Sequence, residues 1–199
     1  PVTQSLDKVI EAINSRLQQP AALHAESSGM ATTLTTLVVR GKFYYFGHVG
    51  DTRLYLLRNG TLKKLTSDHV SDQPELSHAL TRAIGLSSAL TIDHGMGELH
   101  AGDIFLLVSD GVWDAIPEDE LSWHLSELID DKRNAEATAK LLTDAALASG
   151  STDNASALVV RIDQLPEENL RDELSDSQPL PLLLTRPHPF TRWAIIGTV

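Results

Sequence analysis

The amino-acid sequence predicts an α+β fold that is built on antiparallel strands. An amphipathic helical pattern opens the chain, with apolar side chains at Leu6, Val9, Ile10, Ile13 and Leu17. Four segments rich in β-branched and aromatic residues follow between residues 32 and 65. Helical patterns return late in the chain, before a last apolar segment. Because such short connections join antiparallel neighbours, we expect an antiparallel sheet.

In the first half of the chain, Pro20 is expected to end the opening helix, because proline lacks an N–H group. Asn59-Gly60 is typical of a two-residue hairpin turn between two strands. A short helix is expected over Pro74–Ala83. The four strands before it are predicted over residues 32–39, 43–49, 53–58 and 61–65.

In the second half, a strand is predicted over residues 90–99, and Gly95 and Gly97 lead us to expect an irregularity in it. Pro117 suits the first position of a helix, and Asn134 is expected to cap an alanine-rich helix that ends at Gly150. Apolar strands are predicted over residues 104–109 and 157–162.

Composition excludes several classes of protein. Apolar residues make up 42% of the 199 residues, which is typical of a globular chain. The formal net charge of -11 argues against nucleic-acid binding, because the phosphate backbone would be repelled. The absence of cysteine excludes disulfides and thiolate metal sites and favours a reducing compartment, the cytoplasm.

The composition changes after Asp163. We expect one domain over residues 1–163 and an acidic, then proline-rich linker or tail over residues 164–199. The basic residues before Trp193 resemble the cytoplasmic edge of a membrane span, so a span beyond Val199 stays open as an alternative. We favour the linker, because no apolar run within the chain approaches the roughly 20 residues that a membrane helix needs.

Three short segments place an aspartate after or before an apolar strand: Asp51, Asp110 and Asp153. Carboxylates held at strand ends suit hard cations such as Mg²⁺ and Mn²⁺, which prefer oxygen ligands. Each aspartate alone is more simply explained as a turn residue. The spacing of the three does not decide between these alternatives.

Six longer strings favour the metal site. They are Gly29-Met-Ala-Thr-Thr-Leu, His48-Val-Gly-Asp-Thr-Arg-Leu-Tyr-Leu-Leu-Arg-Asn-Gly, Leu65-Thr-Ser-Asp-His69, Leu80-Thr-Arg-Ala-Ile-Gly85, Gly102-Asp-Ile-Phe-Leu-Leu-Val-Ser-Asp-Gly-Val-Trp-Asp114 and Ser151-Thr-Asp-Asn154. In this order, over residues 29–162, they closely resemble the motifs of the type 2C, metal-dependent protein serine/threonine phosphatases, in a bacterial style.

The resemblance implies a four-layer α-β-β-α sandwich of two antiparallel sheets flanked by helices. It also implies a cleft with two Mn²⁺ or Mg²⁺ ions, where a metal-bridged water attacks the phosphorus of phosphoserine or phosphothreonine in a protein substrate. By the same resemblance, Asp110 and Asp153 are ligands of one ion, and Asp51 with Asp110 matches the position of a third, weaker metal.

The start of the sequence departs from the family's pattern. The family's acidic first strand and its Asp-Gly-x-Gly-Gly loop, which supplies the carboxylate that bridges the two ions, do not precede Leu6. The segment Gly95-Met96-Gly97 is only superficially similar to that loop and falls in the wrong place. We therefore expect an N-terminally incomplete catalytic domain, and we expect the 199-residue chain to be inactive by itself.

Other polar and aromatic residues in the motifs have simpler explanations. His48 and His69 are expected to form structural hydrogen bonds. Arg53 is expected to pair with nearby carboxylates rather than bind a phosphate. Ser109 lacks the surroundings of a serine nucleophile. Trp113 and Trp123 are expected to pack in the core or in a groove.

Two hypotheses about function stay open at this point. The first is a phosphatase, and the alternative is a non-catalytic, phosphatase-like binding or regulatory module. The presence of both Asp110 and Asp153 favours the enzyme, because a module without catalysis need not keep both ligands.

Overall fold

The structure, a computed structural model, describes residues 1–23, 29–73, 79–129, 133–166 and 192–196. The helices are α1 (Val2–Leu23), α2 (Asp110–Trp113), α3 (Glu118–Ile129) and α4 (Ala135–Ala148). The strands are β1 (Leu34–Arg40), β2 (Phe43–Val49), β3 (Arg53–Arg58), β4 (Thr61–Lys64), β5 (Asp93–Glu98), β6 (Ile104–Val108), β7 (Ala157–Arg161) and β8 (Arg192–Ile196).

The strands form two antiparallel sheets, with the orders β5-β2-β1-β8 and β4-β3-β6-β7. Short turns join β1 to β2 and β3 to β4, and the second of these is the hairpin that Asn59-Gly60 predicts. The turn at Asn59-Gly60 has positive φ at both residues, 51° and 74°, which matches the twist of a two-residue hairpin.

The alternation of side chains along β3 and β6 creates the layers. Phe105 and Leu107 of β6 face the other sheet, where they join Leu37, Phe46 and other residues in a core between the sheets. The intervening Leu106 belongs to a second core, which packs the outer face of this sheet against α3 and α4. Because strand side chains alternate, a strand that is apolar at every position serves both cores.

On the opposite outer face, α1 packs against β1 and β2. Ile10 of α1 is 1% exposed and shares a small core with Leu34, Val49 and Ile84. The layers are therefore helix, sheet, sheet and helices, so the predicted four-layer α+β sandwich is confirmed. None of the helices in the described part of the chain is both long and apolar enough to span a membrane.

Two predictions about helices are wrong. The opening helix does not end at Pro20 but continues to Leu23. Proline removes one hydrogen bond, but its φ is compatible with a helix, so one further turn can form. The helix expected over Pro74–Ala83 does not cover its last five residues, because Leu80 and Ile84 form isolated β-bridges with Val70 and Thr32. Residues 74–78 lie outside the described residues.

The expected irregularity at Gly95 and Gly97 is also wrong. Both glycines pair regularly with β2, opposite Phe46 and Tyr44. The rings of these aromatic residues cover the glycines, so that a Cβ at Gly97 would lie 2.6 Å from the Tyr44 hydroxyl oxygen. The missing side chains therefore make room for aromatic rings on the neighbouring strand.

Residues 192–196 lie within the segment that the sequence predicts to be a linker or tail. These residues form β8, which pairs antiparallel with β1 from Thr35↔Ile196 to Val39↔Arg192. A strand here covers the edge of β1, whose N–H and C=O groups would otherwise have no partner strand on that side. Residues 167–191 lie outside the described residues, and the domain boundary at residue 163 stays a prediction.

Candidate metal-binding site

The sheet registers bring the three predicted aspartates to the same end of the second sheet. In these registers Val108, the last residue of β6, pairs with Arg53 on one side and with Ala157 on the other. Asp51 lies just before β3, Asp110 just after β6, and Asp153 in the loop that leads into β7. The convergence follows from strand pairing alone.

The three carboxylates differ in burial. Asp51 is 7% exposed, Asp110 is half-buried at the first position of α2, and Asp153 is exposed. None of them belongs to an ion pair with lysine or arginine in the described part of the chain. This end of the sandwich therefore presents negative charge that no lysine or arginine in the described ranges neutralises by direct contact.

Asp51 and Asp110 interact with each other through their charges. Burial raises the pKa of the Asp51 carboxyl, and the negative charge of Asp110 raises it further. A neighbouring negative charge disfavours the ionised form of the Asp51 carboxyl, and a bound cation would relieve that repulsion.

The loop that carries Asp153 is joined to the end of β6 by Ser109. The Ser109 hydroxyl donates to the Asn154 carbonyl at 3.1 Å and accepts from the Ser156 N–H at 2.9 Å. Gly111 approaches the same loop so closely that a Cβ there would lie 2.6 Å from the Asn154 oxygen. Ser109 is thus a structural connection, in agreement with the prediction that it is not a nucleophile.

The candidate ligands are of the type that Mn²⁺ and Mg²⁺ prefer, but too few of them come together. All three candidate ligands are hard carboxylate oxygens, which these ions prefer. Among the described residues, however, no three side chains of the types Asp, Glu and His come close enough together to hold a metal ion. The assignment of Asp51, Asp110 and Asp153 as ligands therefore stays a prediction.

Arg53 is fully engaged with the protein. Its Nη2 and Nε donate to Asp68 Oδ2 at 2.7 and 3.1 Å, and its guanidinium carbon lies 3.5 Å from the centroid of the Trp113 ring. A guanidinium held by a carboxylate and stacked on an indole is not free to bind phosphate. The expectation that Arg53 pairs with a nearby carboxylate agrees with this contact.

The two motif histidines form structural hydrogen bonds, as expected. His48 Nε2 lies 3.0 Å from the Ser67 carbonyl oxygen, and its Nδ1 lies 2.9 Å from Thr35 Oγ1. His69 Nδ1 accepts from the Gly50 N–H at 3.0 Å, and its Nε2 lies 3.0 Å from Asp93 Oδ2. Both imidazoles therefore have partners on both ring nitrogens.

The two tryptophans differ from each other. Trp113 is half-buried, and its Nε1–H donates to the Asp51 carbonyl at 3.0 Å. Trp123 is 56% exposed on α3, so the expectation that it packs in the core or in a groove is wrong. Helix α3 buries Leu121, Leu125 and Leu128 instead. Trp123 lies two residues after Leu121, which places it on the opposite side of the helix from these leucines.

Several supporting residues escaped the sequence analysis. Asp68 pairs with Arg53, and Arg82 donates to Asp93 Oδ1 at 2.7 Å. Asp68 lies inside a recognised motif beside His69, and this position was a usable signal. Asp93 lies 24 residues after His69, at the start of β5, and no local pattern indicates that contact.

The fold and the acidic end together define a class of protein, a four-layer sandwich with carboxylates gathered at one end of its sheets. The family model described as Protein phosphatase 2C matches residues 2–148. The chain therefore belongs to the protein phosphatase 2C family.

Individual relatives agree with this assignment. A curated relative, the serine/threonine phosphatase stp of Listeria welshimeri, is 29% identical over 170 residues, which cover 78% of this chain and 66% of the relative. The solved structure of PppA from Pseudomonas aeruginosa, described as a key regulatory component of T6SS, is 34% identical with a TM-score of 0.70 and covers 76% of this chain and 66% of that one.

A further solved structure is the catalytic domain of the serine/threonine protein phosphatase PstP in complex with two manganese ions. It is 31% identical with a TM-score of 0.67, and the match covers 77% of this chain and 68% of that one. The chain thus spans about two thirds of the length of these relatives.

Proposed function

We propose that the complete gene product hydrolyses phosphoserine and phosphothreonine in phosphoproteins with the help of Mn²⁺ or Mg²⁺. The observation that carries this proposal is the convergence of Asp51, Asp110 and the Asp153 loop at one end of the sandwich. The names of two relatives support it, because both are serine/threonine phosphatases and the structure of one contains two manganese ions.

In this proposal Asp110 and Asp153 hold one ion, and Asp51 with Asp110 holds a third, weaker one. When bound, such ions activate water and neutralise the negative charge of a phosphoryl group. The protein's own contribution is to hold the carboxylates apart from basic side chains and fixed in place. Ser109 fixes the Asp153 loop, and Trp113 fixes the backbone at Asp51.

We further propose that the 199-residue chain by itself is inactive. An Asp-Gly-x-Gly-Gly sequence, the source of the bridging carboxylate in the resemblance, does not occur among its residues. Metal affinity rises with the number and charge of the ligands, so two or three carboxylates would hold Mn²⁺ only weakly.

The setting of the activity is proposed to be the cytoplasm, with a phosphorylated protein as substrate. The absence of cysteine supports a reducing compartment. A net charge of -11 is unfavourable for a nucleic-acid substrate.

The test compares the complete gene product with the 199-residue chain on a phosphothreonine peptide, with Mn²⁺ and with a chelator. We expect chelator-sensitive turnover only from the complete product. Asp110→Asn or Asp153→Asn should remove most of it, Asp51→Asn should reduce it less, and Asp114→Asn, at an exposed aspartate just after α2, is the matched control. Equal turnover with and without chelator would contradict the proposal.

A non-catalytic, phosphatase-like binding module is the second candidate function. It is favoured by one observation, that no three potential metal ligands come together among the described residues. Binding of the phosphopeptide by the complete product without Mn²⁺, and without any turnover when Mn²⁺ is added, would support this alternative.

A further inference from the structure

Gly50 sets the direction of the turn that presents Asp51. The chain passes here from β2 in the first sheet to β3 in the second. Gly50 has φ of 111°, and a Cβ at this position would overlap the side chain of Thr33. Only glycine suits this position, so the path of the backbone into Asp51 is set one residue before it.

His69 holds Gly50 from both sides. Its Nδ1 accepts the Gly50 N–H at 3.0 Å, and its own backbone N–H donates to the Gly50 carbonyl at 2.8 Å. The two peptide groups that flank the Gly50 Cα are therefore each bonded to the same residue. Because one of these bonds uses the imidazole ring, the ring must keep its orientation and its Nδ1 must stay unprotonated.

Asp93 and Arg82 fix that ring. Because Nδ1 is an acceptor, Nε2 carries the proton and donates to Asp93 Oδ2 at 3.0 Å, while Arg82 donates to Asp93 Oδ1 at 2.7 Å. The ring also contacts the imidazole of His48, with the centroids 4.6 Å apart. The side chain of His69 is only 1% exposed, so its surroundings allow little rotation.

Asp51 is also held on its other side. Trp113 donates to the Asp51 carbonyl, so the residue lies between two hydrogen-bonded peptide groups. Its carboxyl is thereby kept close to Asp110, whose negative charge acts on it. A candidate metal ligand next to another carboxylate must be held in this way, because the two groups repel each other.

We propose that His69, oriented by Asp93 and Arg82, is a positioning residue that holds the Asp51 carboxylate in place for a divalent cation. The inference rests on the proposed function in one respect, that Asp51 is a metal ligand. His69 does not act as a proton donor to substrate in this arrangement, since both of its ring nitrogens are bonded to the protein.

The test uses two substitutions of His69 in the complete gene product. His69→Asn keeps an acceptor at the position of Nδ1, whereas His69→Leu removes it at similar size. The readouts are the hydrogen exchange of the Gly50 amide, the affinity for Mn²⁺ measured by electron paramagnetic resonance without substrate, and kcat and KM separately. His100→Leu, at an exposed histidine, is the control.

We expect His69→Leu to speed exchange at Gly50 and to weaken Mn²⁺ binding about tenfold or more, the usual effect of removing a group that orients a metal ligand. His69→Asn should restore most of both properties, and kcat should change more than KM. Unchanged Mn²⁺ affinity in His69→Leu, or no recovery in His69→Asn, would overturn the proposal.

Asp93→Asn keeps the test decisive if His69→Leu does not fold, because Asp93 is 39% exposed and tolerates substitution more easily. It should weaken Mn²⁺ binding less than His69→Leu does, and an unchanged affinity would count against the orienting role of Asp93. If the unsubstituted protein shows no turnover, the proposed phosphatase function fails. Exchange at Gly50 and Mn²⁺ affinity would still decide the positioning role.

Discussion

The guanidinium of Arg53 stacks on the indole of Trp113, and the edge of that indole donates a hydrogen bond to the Asp51 carbonyl. Asp68 holds the guanidinium from the other side through two of its nitrogens. The three contacts form a continuous connection from the loop after β4 to the turn that carries Asp51. A substitution of any of these residues should therefore alter the candidate metal site.

Trp113→Phe removes the hydrogen bond to the Asp51 carbonyl and keeps an aromatic ring under Arg53. We expect the free energy of unfolding to fall by about 1–3 kcal/mol, because a buried carbonyl loses its donor. Urea denaturation measures this change. The control is Trp123→Phe, at an indole that is 56% exposed. Its effect should stay within about 0.5 kcal/mol, and equal losses in the two variants would contradict the role given to the Trp113 N–H.

Arg53→Lys tests the planar contacts of the guanidinium. Lysine keeps the charge but loses the two-nitrogen contact with Asp68 and most of the stacking on Trp113, so we expect a loss of about 1–3 kcal/mol in unfolding free energy. Lys140→Ala breaks an exposed pair with Asp144, in which the side chains are 73% and 59% exposed. That pair should contribute about 0–1 kcal/mol. A similar, small effect of both substitutions would show that the Arg53 contacts are not special.

Local patterns predicted most of the fold. The hairpin at Asn59-Gly60 and the cap at Asn134, whose side chain accepts from the Ala137 N–H at 2.7 Å, depend on neighbouring residues only. The pairing of β8 with β1 depends on residues more than 150 positions apart, and no local signal indicates it. The regular pairing of Gly95 has no local signal either, because the ring that covers this glycine belongs to Phe46 on another strand.

The residues of the candidate site also divide into those that local patterns predict and those that depend on distant contacts. The motifs placed Asp51, Asp110 and Asp153 at strand ends, and the strand registers bring those ends together. The groups that orient them could not be predicted in this way. Whether Asp93 reaches His69 depends on the registry of β5 against β2, which is decided by packing across the whole sheet.

Gly111→Ala tests how closely the segments of Asp110 and Asp153 approach each other. The new methyl carbon would lie 2.6 Å from the Asn154 carbonyl oxygen, which is a backbone atom and can move only with its loop. We expect a loss of about 1–3 kcal/mol in unfolding free energy and weaker Mn²⁺ binding in the complete gene product.

The control for this substitution is Gly47→Ala. Its added carbon would lie 3.2 Å from Ile10 Cδ1 and 3.3 Å from Thr36 Oγ1, which belong to side chains rather than to a backbone. We expect a smaller loss of stability and no change in Mn²⁺ affinity. An unchanged affinity in Gly111→Ala would show that the two loops are not coupled.

The ring of His48 is buried and has hydrogen-bond partners at both nitrogens. The Ser67 carbonyl can only accept, so Nε2 carries the proton and donates to it. Nδ1 lies 2.9 Å from the Thr35 hydroxyl oxygen, which lies 2.6 Å from the Thr52 hydroxyl oxygen and can donate to the Thr52 carbonyl at 3.0 Å. Burial and the neighbouring His69 lower the pKa of His48 to about 4.

Because the pKa of His48 is lower in the folded chain than in the unfolded one, the protein should lose stability on mild acidification. Below the unfolded value of about 6.5, the unfolded chain binds a proton that the folded chain does not, so unfolding is favoured as the pH falls from 6.5 towards 4. The slope should approach about 1.4 kcal/mol per pH unit for this group. His69, whose pKa is also lowered by burial, adds to this loss of stability. Asp51, whose pKa is raised by burial, opposes the loss at the acidic end.

Urea denaturation between pH 7.5 and pH 5.5 measures the slope. His48→Gln, which can still donate towards Ser67, should reduce the slope, while His100→Gln should not. An equal slope in His48→Gln and the unsubstituted protein would mean that another group causes the acid sensitivity.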